Sequence, residues 1–572
     1  MGLTGKQKKH LKKHLGKKSL ANIAIDLGIQ KKEIENYLKK IWRKKKYQKF
    51  ISKENSGHRR GSELNLKKYF VQNWKIFAFL AFLVFAVYFN SLSNDFLSDD
   101  IAGIEENPQI KEINYFWKVP YFNFNLRSLI IFLTNKIFGL NPVFYRLPNI
   151  LSHLGSTWII FVLISFFFTS PVPLITASIF SVHPIFTESI TWISGGPYSL
   201  GAFFLLCSLL IYIWSIDNKK SKVYFVSIFL FLLALFISEK LVVFPLILLM
   251  YEFCLKRFKN NWRKLIPFWL IGGLWALRLT GLISSRVSSL ETVHYQESGI
   301  ENPLIQVPTA VTSYLQLIFW PKNLTFYHSE MFFTQTEYLL KLGGFILFLA
   351  ITAFFLKKDR RIFFWLSFFI ITLLPTLTPF RISWIVAERY VYLGALGVIV
   401  PIALAIKKIG EISKNQKLPY ILLAFFLLTL SIRTVIRNTD WKNQDTLWLA
   451  TDKTSPSSSQ NHNNLGDLYA RHGDLEKAVE EFKKAIELKP NYGDAYHNLA
   501  NIYGQMGKND LAIENYQKAI STNPNLWQSH QNLANIYHQQ GKIDLVRQEL
   551  EKALQINPDN QKLKEALLNL TP

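Results

Sequence analysis

Asp99 and Asp100 stand side by side in NSLSNDFLSDDIAGIEENP, residues 90–108, directly after an apolar run long enough to enter a bilayer. A carboxylate that is partly desolvated beside a like charge holds protons more tightly. One member of such a pair can take a proton from an alcohol while the other orients it or balances charge. A departing phosphate needs cations, and Arg127, Lys240, Arg381 and Arg389 are available. Glu188, Glu239 and Glu388 add carboxylates near the ends of apolar runs, and Arg146 and His153 lie in or beside the segment after the first run. Ionisable groups at such depths are costly, which points to a pathway or a site. Together these residues describe alcohol attack on an activated phosphoester. They equally describe cation binding, proton-coupled transport, helix-end ion pairs, or a cap on the helix that begins near Ile101.

Charges so placed need a scaffold that segregates them. The 572 residues are 49% hydrophobic and 15% aromatic yet carry a net charge of +26, which excludes one evenly mixed soluble globule. Residues 1–73 hold twenty-one Lys/Arg against five Asp/Glu and so supply +16 of that excess. Residues 74–437 are apolar runs broken by basic clusters, and residues 438–572 are polar and repetitive. A hydrocarbon core of about 30 Å takes about 20 helical residues, each satisfying its own backbone groups. Eleven spans are expected, at 74–91, 147–169, 172–192, 197–216, 223–238, 241–255, 265–283, 339–356, 362–379, 389–406 and 418–436.

The basic tail and the clusters DNKKSK, KRFKNNWRK, KKDRR and KKIGEISKNQK belong on the cytoplasmic side. This order requires QVPTAVTSYLQLIFWP, residues 306–321, to be interfacial or re-entrant rather than spanning. The carboxylate pair and the other helix-end charges then gather on the outer face. The first run is expected to act as an uncleaved span. Cys207 and Cys254 sit inside apolar runs as packing residues, and no His/Cys cluster has metal-ligand spacing, so a divalent-metal requirement stays open.

From residue 459 the pattern changes. Leu465, Gly466, Tyr469, Ala478, Phe482, Ala485 and Pro490 recur 34 residues on as Leu499, Ala500, Tyr503, Ala512, Tyr516, Ala519 and Pro524. They recur again as Leu533, Ala534, Tyr537, Val546, Leu550, Ala553 and Pro558. The period is that of the tetratricopeptide repeat, with units at 459–492, 493–526 and 527–560, a capping helix after them, and a linker over 438–458. Such units stack into a superhelix whose concave groove takes a peptide, or which braces the membrane part. In the tail, Leu20, Ile23, Ala24, Leu27, Gly28, Ile29, Ile34, Leu38 and Ile41 predict a small helix-turn-helix-like unit over 18–42. Its Lys-rich surroundings suit anionic lipid, with nucleic acid the other candidate.

The series SNDFLSDDIAGIEENPQI, LRSLIIFLTNKIFGLNPVFYRLPNILSHL, SVHPIFTESITWISGG, ISEKLVVFPLILLMYEF and VAERYVYLGALG, followed by repeats, resembles the transmembrane and tetratricopeptide-repeat O-mannosyltransferases and their bacterial relatives. The likeness runs over most of residues 74–572. It implies an all-α chain: a polytopic GT-C-like membrane domain over 74–437, a C-terminal solenoid and the basic tail. It also implies a polyprenyl-phosphate sugar as donor. Asp99 would be the base and Asp100 its partner, with Arg127, His153, His183, Glu188, Glu239, Lys240, Glu388 and Arg389 serving the donor. Pro184 and Thr187 complete the His-Pro-x-x-Thr-Glu motif.

Three departures stand out: Ser238 precedes Glu239 where relatives have Lys, Ser128 follows Arg127 where they have Pro, and GGPYS replaces a segment that is often charged. The sugar is therefore mannose or another hexose. For His183 the plain alternative is a kink with a satisfied imidazole, and for Tyr390 and Tyr392 an interfacial aromatic belt. The implied protein is an inverting glycosyltransferase of a bacterial plasma membrane, with a cytoplasmic N-terminus and repeats on the outer side. It would transfer sugar to Ser/Thr hydroxyls of a protein that the repeats recruit. A lipid or envelope-glycan acceptor, and a non-catalytic scaffold, are the alternatives.

Overall fold

In a computed structural model, residues 3–15, 20, 23, 27, 31–43, 47, 66–115, 125–218, 220–293, 302–329, 333–377 and 385–570 are described. Their regular structure is helical, in keeping with the all-α expectation. In the tail, α1 (Gly5–His14) and α2 (Lys31–Ile41) belong to a small core in which Leu3, Leu11, Leu20, Ile23, Ile34 and Leu38 are buried. That pattern suits the expected small unit, although Ala24, Gly28 and Ile29 lie outside the described residues.

The main body begins with α3 (Trp74–Tyr88), α4 (Leu126–Phe138) and α5 (Pro142–Phe167). Asn125 and Asn141 cap the last two, their side-chain oxygens accepting from Arg127 N at 2.9 Å and Val143 N at 3.1 Å. The central helix α5 packs against α3, α6 (Val172–Val182) and α7 (Gly196–Asp217). After these come α8 (Ser221–Ile237), α9 (Phe244–Cys254), α10 (Phe258–Val293), α11 (Pro303–Phe319), α12 (Gln335–Lys358), α13 (Arg360–Leu373), α14 (Ala395–Ile412) and α15 (Leu418–Asp440). One apolar core, rich in Phe, Leu and Ile, unites all of these but α4, whose Ile131 packs in a separate cluster with Phe96, Ile104, Ile110, Tyr145 and Ile193.

Among the described residues, five helices are long and apolar enough to cross a membrane: Trp74–Ser91, Pro142–Phe167, Ile193–Asp217, Gln335–Lys358 and Leu418–Asp440. The other expected spans are helical but shorter, broken or differently bounded. The run 172–192 leaves the helix at His183, which turns extended before Pro184, and regains one turn only at Thr187–Thr191. The run 241–255 starts as a tight turn, Glu239–Val243, before the 11-residue α9. The run 389–406 starts as a similar turn, Glu388–Val391, and its helix begins at Ala395. The run 265–283 lies inside the 36-residue α10, and residues 306–319 belong to the 17-residue α11. Each break falls at a charged motif, so Glu188, Glu239, Lys240, Glu388 and Arg389 all sit in turns rather than along helix walls.

Beyond α16 (Gln444–Thr454), three helix pairs follow the 34-residue period: Ser459–Arg471 with Leu475–Leu488, Gly493–Gln505 with Asn509–Thr522, and Trp527–Gln539 with Ile543–Ile556, closed by Gln561–Leu568. Gly473, Gly507 and Gly541 link the helices of each pair at φ +80°, +72° and +72°, a region that a Cβ disfavours. The repeats do not hang free. Leu465 and Leu468 join Leu97, Trp192, Phe326, Trp441, Leu447 and Trp448 in one apolar cluster. The first repeat thereby shares an apolar cluster with Leu97, two residues before the Asp-Asp pair.

Within that repeat His462 Nδ1 lies 2.6 Å from Glu481. Burial opposes the imidazolium, but the bonds to Glu481 and to the Pro456 carbonyl outweigh it and raise the His462 pKa. Since the folded value lies above the ordinary one, this pair stabilises the repeat fully below the unfolded pKa of about 6.5 and loses its contribution as pH rises through the folded value. Hydrogen exchange over Ser459–Leu488 in the intact protein should therefore quicken as pH is raised from about 6 to about 8, after correction for intrinsic exchange rates. In His462→Gln that excess dependence should vanish.

Candidate active site

The carboxylate loop is shaped by its backbone. Ser98 takes φ +50°, uncommon for a residue with a Cβ, and Asp99 and Asp100 then open a helical turn whose Glu106 N–H reaches back to the Ile101 carbonyl at 2.9 Å. Neighbours on a helical turn point about 100° apart, so the two carboxylates diverge. Asp100 is fully buried and Asp99 is exposed. Asp100 Oδ1 accepts from the Ser194 N–H at 2.8 Å and the Ser194 hydroxyl at 2.5 Å, and Oδ2 accepts from Leu97 N–H at 3.3 Å. Arg127 donates to the same Ser194 hydroxyl at 3.0 Å. Burial pushes Asp100 up to about 6, against the pull of Ser194, Arg127 and Arg146. The shift thus comes first from desolvation, one of the two causes expected from the sequence.

What holds this loop against the rest is the turn Thr187–Gly196, and helix α5 grips both. Fully buried Arg146 donates to the carbonyls of Thr191 at 2.6 Å, Leu92 at 3.0 Å, Asn94 at 2.8 Å and Asp95 at 3.0 Å. Its planar guanidinium satisfies four carbonyls that would otherwise be stranded, so it acts as a clamp. One turn on, the Asn149 amide donates to Trp192 O at 3.1 Å, and Trp192 Nε1 reaches Leu97 O at 3.3 Å. Packing here leaves no room for side chains: a Cβ on Gly195 would lie 2.2 Å from the Glu188 carbonyl.

The same turn carries a second charged cluster. Glu188 accepts from the Arg389 backbone N–H at 2.8 Å and pairs with its guanidinium. That guanidinium also lies over the rings of Trp192 and Tyr390, at 5.6 and 5.0 Å. Lys240 donates to the Tyr198 hydroxyl at 2.8 Å, and its ammonium is 3.6 Å from the centre of the Tyr390 ring. Glu239, Glu188 and Arg389 all act electrostatically on Tyr198. Glu388 turns the other way, accepting from Thr325 N–H at 2.6 Å and from buried Arg437 at 3.2 Å. The adjacent Glu388 and Arg389 therefore belong to two separate ion pairs.

Asp100, Arg127, Glu188 and Arg389 are thus linked through one turn, Lys240 bonds Tyr198 just beyond it, Glu239 acts electrostatically on Tyr198, and Asp99 acts electrostatically on Arg127 and on Tyr327. The two histidines are placed otherwise. His153 is buried against Phe180, Phe186 and Tyr88, with its ring nitrogens 2.7 Å from the Tyr392 hydroxyl and 3.2 Å from Ser181 O. His183 caps the turn at Pro184, accepting from Ile185 N–H at 3.2 Å and bonding Ile318 O at 2.9 Å. Both imidazoles spend their hydrogen-bonding capacity inside the helix packing, which matches the plain alternative for His183. Tyr392 belongs to that buried packing, not to an interfacial belt. Arg381 lies outside the described residues.

Sequence reasoning missed Ser194, Tyr198, Asn149 and Arg437. Arg437 had a signal, since an arginine within an apolar helix demands a partner. Ser194 and Tyr198 sit in WISGGPYS, where only the glycines marked a turn.

Residues 466–507 match the family described as TPR repeat, and residues 493–526 and 515–548 match families described as tetratricopeptide repeat. Protein O-mannosyl-transferase TMTC3 of Homo sapiens is 24% identical over 474 residues, which is 73% of this chain and 52% of that protein. Protein O-mannosyl-transferase F38B6.6 of Caenorhabditis elegans is 23% identical over 432 residues, 71% of this chain and 61% of that one. The chain spans about half the length of the curated relatives it matches. Of solved structures, a crystal structure of MamA is 24% identical with a TM-score of 0.19, covering 28% of this chain and 88% of that chain. The chain carries tetratricopeptide repeats and is similar, over about 73% of its length, to the TMTC protein O-mannosyl-transferases.

Proposed function

We propose that this protein is a GT-C glycosyltransferase that moves mannose or a related hexose from a polyprenyl phosphate to a Ser/Thr hydroxyl of a protein, at the outer face of a bacterial plasma membrane. The observation that carries the proposal is the turn Thr187–Gly196, through which the Asp99–Asp100 loop, Arg127 and Arg389 come together beside the first repeat. Asp99, exposed and under the influence of Arg127, takes the proton of the acceptor hydroxyl. The acceptor oxygen attacks the anomeric carbon, the bond to the phosphate oxygen breaks, and in-line displacement inverts the centre. Arg127, Lys240 and Arg389 stabilise the departing phosphate. Asp100 touches no substrate; it holds Ser194 and, through it, Arg127.

The apolar cluster joining Leu465 and Leu468 to Leu97 and Trp192 supports a groove that starts beside Asp99 and delivers a protein acceptor to it. It also supports repeats on the same, extracytoplasmic face as Asp99, with the basic tail in the cytoplasm against anionic lipid.

Purified protein assayed with several polyprenyl-phosphate sugars and Ser/Thr-rich peptides should yield glycopeptides, read by mass spectrometry. Folded protein that transfers from none of them overturns the reading. The rate should rise with pH through about 6, as Asp100 ionises and accepts fully from Ser194 and Arg127 is drawn in. That inflection should be absent in Asp100→Asn. Stability runs the opposite way. Because the folded value lies above the ordinary 3.8, the contribution of Asp100 to stability is complete below the unfolded pKa and is lost as pH climbs through about 6.

A further inference from the structure

A second polar chamber, of about 230 Å³, is lined in part by Thr325, whose N–H donates to Glu388. Ser313 and Gln316 line it from one face of α11, Lys341 from α12, and Asn323, His328 and Phe333 from the segment between those helices. Nothing in the mechanism above uses these side chains. His328 is only 10% exposed, yet its Nε2 has no hydrogen-bond partner, the Glu388 carboxylate being 3.9 Å away. A buried ring nitrogen left unbonded is costly, so a ligand that bonds it is favoured. Burial, with Arg437 and Arg389 nearby, pushes the His328 pKa down to about 3, so the ring is neutral, a donor at one nitrogen and an acceptor at the other.

The rest of the wall has the same character. The Gln316 and Asn323 amides each offer a donor pair and an acceptor. Lys341 is the single cation among the described lining residues, and it already donates to Ser313 at 3.3 Å and lies 4.7 Å from the centre of the Phe333 ring. A phosphate would call for converging cations or a guanidinium fork, and an apolar ligand would strand the amides. A small ring rich in hydroxyls satisfies donors and acceptors at once and sets its C–H face on an aromatic ring.

We infer that this chamber binds one neutral monosaccharide unit, either the sugar carried by the donor or a sugar already attached to the acceptor. The choice of ligand rests on the proposed transfer, but binding can be measured without turnover, so the two fail separately. The full chain, purified in a detergent without a sugar head group, is titrated with methyl α-mannopyranoside and methyl glucopyranoside by saturation-transfer NMR, with inorganic phosphate as competitor. Saturable millimolar binding to at least one glycoside is expected, undisturbed by phosphate. Gln316→Ala and His328→Phe should weaken it about tenfold or more, whereas Asp99→Asn should leave it intact.

Absence of saturation, displacement by phosphate, or equal binding by both chamber variants overturns the inference. Where His328→Phe fails to elute as a folded monodisperse protein, Gln316→Ala, at an accessible position, decides alone. In transfer kinetics Gln316→Ala should raise KM for the donor if the chamber takes the donor sugar, or KM for a glycosylated acceptor if it takes that one. No change in either, with transfer intact, also overturns it.

Discussion

Asp99→Asn should lower the transfer rate by about 10²- to 10⁴-fold, the usual worth of a positioned general base, with little change in stability. The side chain is exposed, unlike that of its neighbour, and accessible positions away from packed features usually shift stability by less than about 0.5 kcal/mol. The amide keeps the shape and loses only the ability to accept a proton. The comparison with Asp100→Asn is informative because Asp100 is fully buried and bonded at both oxygens. Its replacement should disturb the hold on Ser194, alter the pH profile and change the thermal midpoint. An initial-rate assay and a melting curve for each variant suffice. Asp99→Asn protein retaining half of the native rate would remove Asp99 from the base role.

Glu188→Ala should cost about 3–5 kcal/mol, because it leaves the Arg389 guanidinium and the Arg389 backbone N–H without their acceptor in a nearly closed environment. Against a typical total of about 5–15 kcal/mol, that is enough to lose much of the folded protein. Arg389→Met should cost a similar amount for the mirror reason. The double replacement Glu188→Leu with Arg389→Met removes both charges together and should recover most of the stability. It should not recover transfer, since the guanidinium assigned to the donor phosphate is gone. Thermal unfolding of the four proteins gives the coupling energy, and the same preparations give the rates. A stable double variant with native activity would make the pair purely structural and take Arg389 out of the site.

The order of the charged motifs is legible in the amino-acid sequence, as is the repeat array, because both are written in short segments with strong periodicity or unusual residues. Leu465, Leu499 and Leu533 declare the 34-residue step, and the apolar runs declare the helices. The same hydropathy signal overruns the helix ends. It merges Val172–Val182 with Thr187–Thr191 and begins the later runs inside the turns at Glu239 and Glu388. Pro184 is a visible breaker, but hydropathy averages over single residues and so cannot weigh one against its neighbours.

Residue types and their order along the chain therefore determined the class of the protein: all helical, apolar at its centre, basic at one end and repetitive at the other. Only the tertiary structure decided which charges meet. Asp100 bonds Ser194 across 94 positions and Arg389 bonds Glu188 across 201, and such pairings depend on how helices pack rather than on any local preference. It also decided that adjacent residues part company, Asp99 toward solvent and Asp100 inward, Glu388 toward Arg437 and Arg389 toward Glu188. A turn sends neighbouring side chains in different directions, and only the surroundings determine which of them is buried.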